Sequence, residues 1–170
     1  MDFKDLAVKR YSCRKFSDRK VEKELVEQII ETARQAPTAV NFQPYKIFWM
    51  DSEEAKAKIA QSTRFSFGAE NFLVVGYKNE QGWTRKFDQH NFAEVDASIV
   101  ATFIMMQIED LGLATTWVGY FDEPKLKELC PEMKEYGLIA IFPIGYAAED
   151  AEPNPMHFER KKREEILEIL

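Results

Sequence analysis

Ala36-Pro37-Thr38-Ala39-Val40-Asn41-Phe42-Gln43-Pro44-Tyr45 joins a helical pattern to a strand pattern, and the fold is read outward from it. Upstream, Leu25, Val26, Ile29, Ile30 and Ala33 recur at helical spacing, with Glu22 and Glu24 as acids of a first turn. Pro37 disfavours helical geometry just before itself, so that helix must stop near Ala36. Downstream, residues 45–50 are aromatic and β-branched, which predicts a strand. A short helix over 53–61 follows, with Ala55 and Ile59 inward. Residues 72–77 are apolar throughout, as in a central strand. The longest helix covers 92–111; Phe92, Val95, Ile99, Val100, Phe103, Ile104, Met106 and Ile108 take most of its circumference, which predicts a core helix stopped by Gly112. Strands over 113–118 and 138–146 enclose a helix capped by Asp122, with Pro124 in its first turn and Pro131 beyond its end. A short amphipathic helix opens the chain, residues 11–19 read as irregular or extended, 147–155 as a linker, and 158–170 as a charged helix. Helices and strands interleave in one mixed domain over 1–170.

Composition narrows the class. The 170 residues are 45% hydrophobic and 31% charged, as in globular proteins. A net charge of −6 argues against general binding to nucleic acid or membrane surfaces. Cys13 and Cys130 stand far apart and there are only two histidines, so neither a disulfide framework nor a zinc site is expected. The start lacks the layout of a signal peptide, and no apolar run approaches the ~20 residues of a membrane span. The expected setting is reducing and cytoplasmic.

The usual nucleotide and hydrolase signatures are missing: no GxGxxG, no GxxxxGK[ST], no HExxH and no GxSxG. Three other segments carry the chemistry. In Arg10-Tyr11-Ser12-Cys13-Arg14, an extended backbone would put Arg10, Ser12 and Arg14 on one face. Two guanidiniums around a hydroxyl suit a phosphate; a solvated basic turn would look the same. In the turn at 36–45, Thr38, Asn41 and Gln43 offer a hydroxyl and two amides, and an amide's paired donor and acceptor match the imide edge of a flavin or pyrimidine. A plain loop using Asn41 for turn geometry is the other reading. In Gly112-Leu113-Ala114-Thr115-Thr116-Trp117-Val118-Gly119-Tyr120, Gly119 would let backbone approach a ligand closely, or simply end a strand.

In this order the three segments resemble the nitroreductase family of FMN-dependent oxidoreductases. That family has an R-x-S-x-R/K opening, matched by Arg10, Ser12 and Arg14. Its proline-bounded turn is matched by residues 36–45, with Thr38 for the usual serine and Tyr45 for tryptophan. Its long helix leads into G-L-x-[ST]-x-W-[IV]-G, here residues 112–119, and a late Gly145-Tyr146 precedes a basic residue. Spacing to the final acidic stretch favours Arg160 over Lys161, Lys162 and Arg163 for that residue.

The resemblance implies an α+β fold: a mixed, mostly antiparallel sheet wrapped by helices in an intertwined homodimer, with residues 147–170 as an extension contacting the partner. It implies FMN as cofactor. Arg10, Tyr11, Ser12, Arg14 and Arg160 would lie at the phosphate and ribityl end, Val118 and Gly119 at the ring, and Pro37, Thr38, Asn41 and Gln43 would reach the same flavin from the partner chain. The implied activity is ping-pong hydride transfer from NAD(P)H to a nitroaromatic, quinone or similar small acceptor, with no catalytic side chain. A non-catalytic FMN-binding or flavin-delivery protein is the alternative. Phe65, Phe67, Trp83, Phe87 and Tyr120 are candidates for the open face, and the short chain implies that large substrate-covering insertions are missing.

Overall fold

The computed structural model describes residues 2–170. Its elements are α1 (Phe3–Lys9), α2 (Lys23–Ala33), β1 (Tyr45–Met50), α3 (Glu53–Ser62), β2 (Asn71–Tyr77), α4 (Ala93–Asp110), β3 (Ala114–Thr115), α5 (Glu123–Leu129) and β4 (Gly137–Gly145). Side-chain caps start several helices: Ser52 accepts the Ala55 N–H at 3.1 Å, and Asp122 the Lys125 N–H at 2.9 Å. Asn91 accepts the Ala93 N–H at 2.9 Å at the head of α4.

The sheet runs β1-β2-β4-β3, each pair antiparallel. Alternate residues of β2 face opposite layers. Leu73 and Val75 join Ala140, Phe142 and Ile144 beneath α2 and α4. Phe72 and Val74 meet Ile59 of α3 and Leu126 of α5. Helices therefore cover both faces, which explains why β2 is central and apolar at every position although its neighbours are antiparallel.

One expectation holds in part and two need correction. The first concerns α4, a core helix on one face only. Its inner face buries Val100, Ile104 and Ile108, with Ala97 and Ala101 admitting close approach. Its other apolar side chains are not enclosed: Val95 is 41% exposed, and Ile99, Phe103 and Met106 are only partly covered. Phe103 and Met106 instead line an open apolar groove of about 530 Å³ with Phe3, Leu6 and Ala7 of α1.

The second concerns the third strand, which is interrupted. Val118 keeps the register set by Ala114 and Thr115, exchanging N–H···O bonds with Ile141 at 3.0 Å in both directions. That register puts Thr116 opposite Pro143, which has no N–H to give, so the ladder breaks between its two ends.

The third concerns the helix expected over 158–170, which does not form. Pro155–Phe158 and Arg163–Glu165 are single 3₁₀ turns, and every residue from 158 to 170 is exposed. A segment this short is marginal as an isolated helix in water. Here Ile166, Leu167, Ile169 and Leu170 find no surface to pack on among the described residues. No helix among the described residues is long and apolar enough to cross a membrane.

Candidate cofactor site

The segment after α1 is extended and tied to the sheet at two points. Ser12 forms a parallel bridge with Thr115, and the Cys13 N–H donates to the Thr115 carbonyl at 2.9 Å. Phe16 bridges Ala147, with the Ser17 N–H on the Tyr146 carbonyl at 2.9 Å. Gly145 makes room for this crossing, since a Cβ there would lie 2.8 Å from the Phe16 ring. Cys13 is fully buried between the two ties, so it serves as a small packing residue.

With this backbone, Arg10, Ser12 and Arg14 do face one cavity, of about 460 Å³. Asn154, Met156, His157 and Arg160 close it from the C-terminal segment. No carboxylate lines it. Arg10, Arg14 and Arg160 form no ion pair among the described residues, although the chain carries 29 acids. The Arg14 guanidinium donates to the Ser12 carbonyl at 3.1 Å, and that of Arg160 to the Glu159 carbonyl at 2.7 Å. Three clustered guanidiniums without a counter-charge repel one another and are set for an anion. Tyr11 is not among the lining residues. It stands edge-on to His157 at 6.5 Å, and burial, reinforced by its neighbour Cys13, pushes its hydroxyl up to about 12.

Arg14 also belongs to a second, narrower cavity of about 180 Å³. Thr116, Trp117, Val118 and Gly119 form one wall, and Phe65, Phe67 and Tyr120 the other. Phe65 contacts both aromatic neighbours, with ring centroids 5.8 Å from each. The two cavities share Arg14, so the arginine-lined cavity adjoins the aromatic slot. Val118's N–H is already bonded to Ile141, whereas Gly119's has no backbone acceptor among the described residues. Trp83 and Phe87 lie elsewhere: Trp83 packs on Phe92 at 5.3 Å, and Phe87 is 98% exposed on its loop.

Pro37, Thr38, Asn41 and Gln43 do not line these cavities in the single chain. They sit on the turn between α2 and β1, which has an unusual backbone. Val40, Asn41 and Gln43 all have positive φ, at 54°, 56° and 53°. For a β-branched residue such as Val40 this is a true outlier, and such residues cost about 1–3 kcal/mol each. Two bonds inside the turn help hold it: the Gln43 N–H donates to Thr38 Oγ1 at 3.1 Å, and Gln43 Nε2 to the Asn41 carbonyl at 3.2 Å. The Asn41 side chain is exposed.

An arginine-lined pocket beside an aromatic slot, on an antiparallel sheet sandwiched by helices, describes an α+β protein whose cavities suit an anionic group next to a flat ring. The chain belongs to the nitroreductase family of FMN-dependent NAD(P)H oxidoreductases: the family model matches residues 7–71 and 64–146. A nitroreductase family protein of Clostridium difficile 630 is 35% identical and superposes with a TM-score of 0.91 over 99% of this chain and 98% of its own. A structure from Exiguobacterium sibiricum 255-15, solved in complex with FMN, shares the fold at 21% identity, with a TM-score of 0.83 over 100% of this chain and 98% of that one. A Methanothermobacter thermautotrophicus protein, provisionally described as an NADH dehydrogenase/NAD(P)H nitroreductase, is 25% identical over 94% of this chain and 88% of its own length. The general activity that goes with this membership is flavin-mediated oxidoreduction.

Proposed function

We propose that the protein binds FMN and passes hydride from NAD(P)H to a nitroaromatic, quinone or similar small acceptor, as an intertwined homodimer. The observation that carries this reading is the cluster of Arg10, Arg14 and Arg160 without a carboxylate, adjoining the aromatic slot. These residues fit FMN. Arg10, Ser12, Arg14 and Arg160 would hold the phosphate and ribityl end. The slot is of the chemistry that takes a flat ring, and the Gly119 N–H, rather than that of Val118, is the donor left for it. Thr38, Asn41 and Gln43 would come from a second copy, which accounts for a polar, strained turn outside the cavities of its own chain.

Bound FMN supplies the redox chemistry, taking a hydride from a reduced nicotinamide and returning it to an acceptor. The chain's part is to bind and orient. Its guanidiniums would anchor the anionic end, the partly buried Phe65, Phe67 and Trp117 would flank the ring, and the Gly119 N–H would provide a fixed dipole. The half-covered stripe of Val95, Ile99, Phe103 and Met106 on α4 supports association with a second copy. The name of the Methanothermobacter relative supports a nicotinamide donor, and the Exiguobacterium complex supports FMN.

The test has two arms. Titration of apoprotein with FMN, riboflavin and FAD should favour FMN, and equal affinity for riboflavin would sink the phosphate assignment. Initial rates with NADH or NADPH and a quinone or nitroaromatic should give parallel double-reciprocal lines, whereas intersecting lines would mean a separate nicotinamide site. Binding of FMN without turnover by any pair would leave flavin delivery as the function.

A further inference from the structure

Asp96 lies in the first turn of α4 and is only 2% exposed. Its Oδ1 accepts the Ala39 N–H at 2.8 Å, across 57 positions of sequence. Its Oδ2 is buried and has no hydrogen-bond partner among the described residues. A buried carboxylate with one satisfied oxygen is expensive, and an apolar side chain would fill the same space at lower cost. The helix N-terminus offsets part of that cost without requiring an acid at this position. The function of the acid lies in what its one bond reaches. The other hydrogen bonds of residues 38–43 stay inside the turn: Gln43 N–H to Thr38 Oγ1, Gln43 Nε2 to the Asn41 carbonyl, Asn41 N–H to the Thr38 carbonyl and Phe42 N–H to the Ala39 carbonyl. Among the described residues, the bond to Asp96 is the one that fastens the turn to the body of the protein. The same turn carries three left-handed, non-glycine residues, a conformation that persists only where its surroundings over-determine it.

We infer that Asp96 is a positioning residue for the cofactor: through the Ala39 N–H it holds the strained turn that presents Thr38, Asn41 and Gln43. This rests on the reading that the turn meets FMN. The charge-assisted bond supplies a fixed tether where propensity alone would let Val40 relax toward negative φ.

The test compares Asp96→Ala with Asp96→Asn in the full-length protein. The asparagine keeps an acceptor for Ala39; the alanine does not. Three quantities are read: amide hydrogen exchange over residues 38–43, the FMN dissociation constant, and the midpoint potential of the bound flavin. In Asp96→Ala, exchange in the turn should speed up about tenfold while amides of β2 and β4 keep their protection. FMN should bind about tenfold more weakly, as expected for one lost charge-assisted bond, and the potential should move. Asp96→Asn, which keeps the acceptor but not its charge, should restore most of each. Unchanged exchange and affinity in Asp96→Ala would overturn the inference, as would an asparagine variant as defective as the alanine. Should Asp96→Ala fail to fold, the wild-type protein carries the test: the Ala39 amide, bonded to a buried carboxylate, should exchange about as slowly as the amides of α4, and an Ala39 amide that exchanges as fast as those of exposed loops would refute the tether. A wild-type chain that does not bind FMN refutes the functional reading, while the exchange comparison still tests the tether itself.

Discussion

Arg10→Ala separates binding of the phosphate from everything else the site does. The Arg10 guanidinium lines the anion cavity and makes no hydrogen bond or ion pair with another described side chain. Truncation should therefore cost the fold little, within about 0.5 kcal/mol as for most surface changes. Against bound FMN it removes one charge-assisted bond of about 1.5–3 kcal/mol. With tenfold per 1.4 kcal/mol, affinity should fall roughly ten- to a hundredfold. The cavity is open to solvent, so a single bond at the lower figure is the expected case, and added salt should shrink the difference. The assay is fluorescence titration of wild type and variant with FMN and with riboflavin, at two ionic strengths. Riboflavin lacks the phosphate and should bind both proteins equally, which closes a thermodynamic cycle. Equal loss for both flavins would show that Arg10 acts through the fold or the subunit interface. No loss for either would show that it does not meet the phosphate. Mixing Arg10→Ala with Asn41→Ala chains adds a test of geometry. If the turn serves the other subunit's flavin, each mixed dimer contains one intact site and binding returns; if it serves its own, none does.

Gly119→Ala should leave the melting temperature unchanged, because a Cβ there meets nothing nearer than Trp117 Nε1 at 3.9 Å, yet it should shift the visible spectrum of bound FMN; an unshifted spectrum would remove Gly119 from the ring end. Gly137→Ala drives a Cβ to 2.4 Å from the Tyr77 ring and should lower stability by about 1–3 kcal/mol in urea unfolding. Ile104→Ala, at a fully buried position of α4, should cost about 2–5 kcal/mol by the same measurement. Glu22 is held at about 2, first by the Tyr146 hydroxyl, which donates to it at 2.7 Å, then by its own backbone N–H, and then by Arg19. Its folded value lies below its unfolded one, so this stabilisation is complete above the ordinary carboxylate range and fades as pH falls toward 2. Tyr146→Phe should raise the Glu22 midpoint in an NMR carboxylate titration, and an unmoved midpoint would assign the effect to the Glu22 backbone N–H and Arg19.

Most of the layout was legible because burial imposes a period. The stripe of Val26, Ile29 and Ala33 on α2 and the unbroken apolar run of β2 each admit one arrangement. The common face of Arg10, Ser12 and Arg14 was legible too, since extended backbone repeats every two residues. What escaped depends on partners remote in sequence. Pro143 breaks the ladder at Thr116 only through the register of β3 on β4. Asn154 and His157 reach the anion cavity through a segment with no motif of its own. The left-handed Val40 contradicts its local propensity, and a buried Asp96 looks in sequence like any acid of a first turn. The helix expected over 158–170 had the right composition and nothing to dock on.

The double tie of residues 12–17 to Thr115 and Ala147 also sets a timetable. On the ribosome, the basic segment emerges before the strands it bridges to. Its first strand partner, Thr115, follows only after α2, α3 and α4 have been made, its second, Ala147, later still, and the Arg160 side of the pocket after both. At about 5–20 residues per second, this wait lasts on the order of ten seconds or more. Through that interval the arginines form no cleft, and a free phosphate-bearing ligand meets only a loose basic tail. The pocket is thus complete only once residues 10–160 are all in place, and an anionic ligand can be taken up only after that whole stretch has been made.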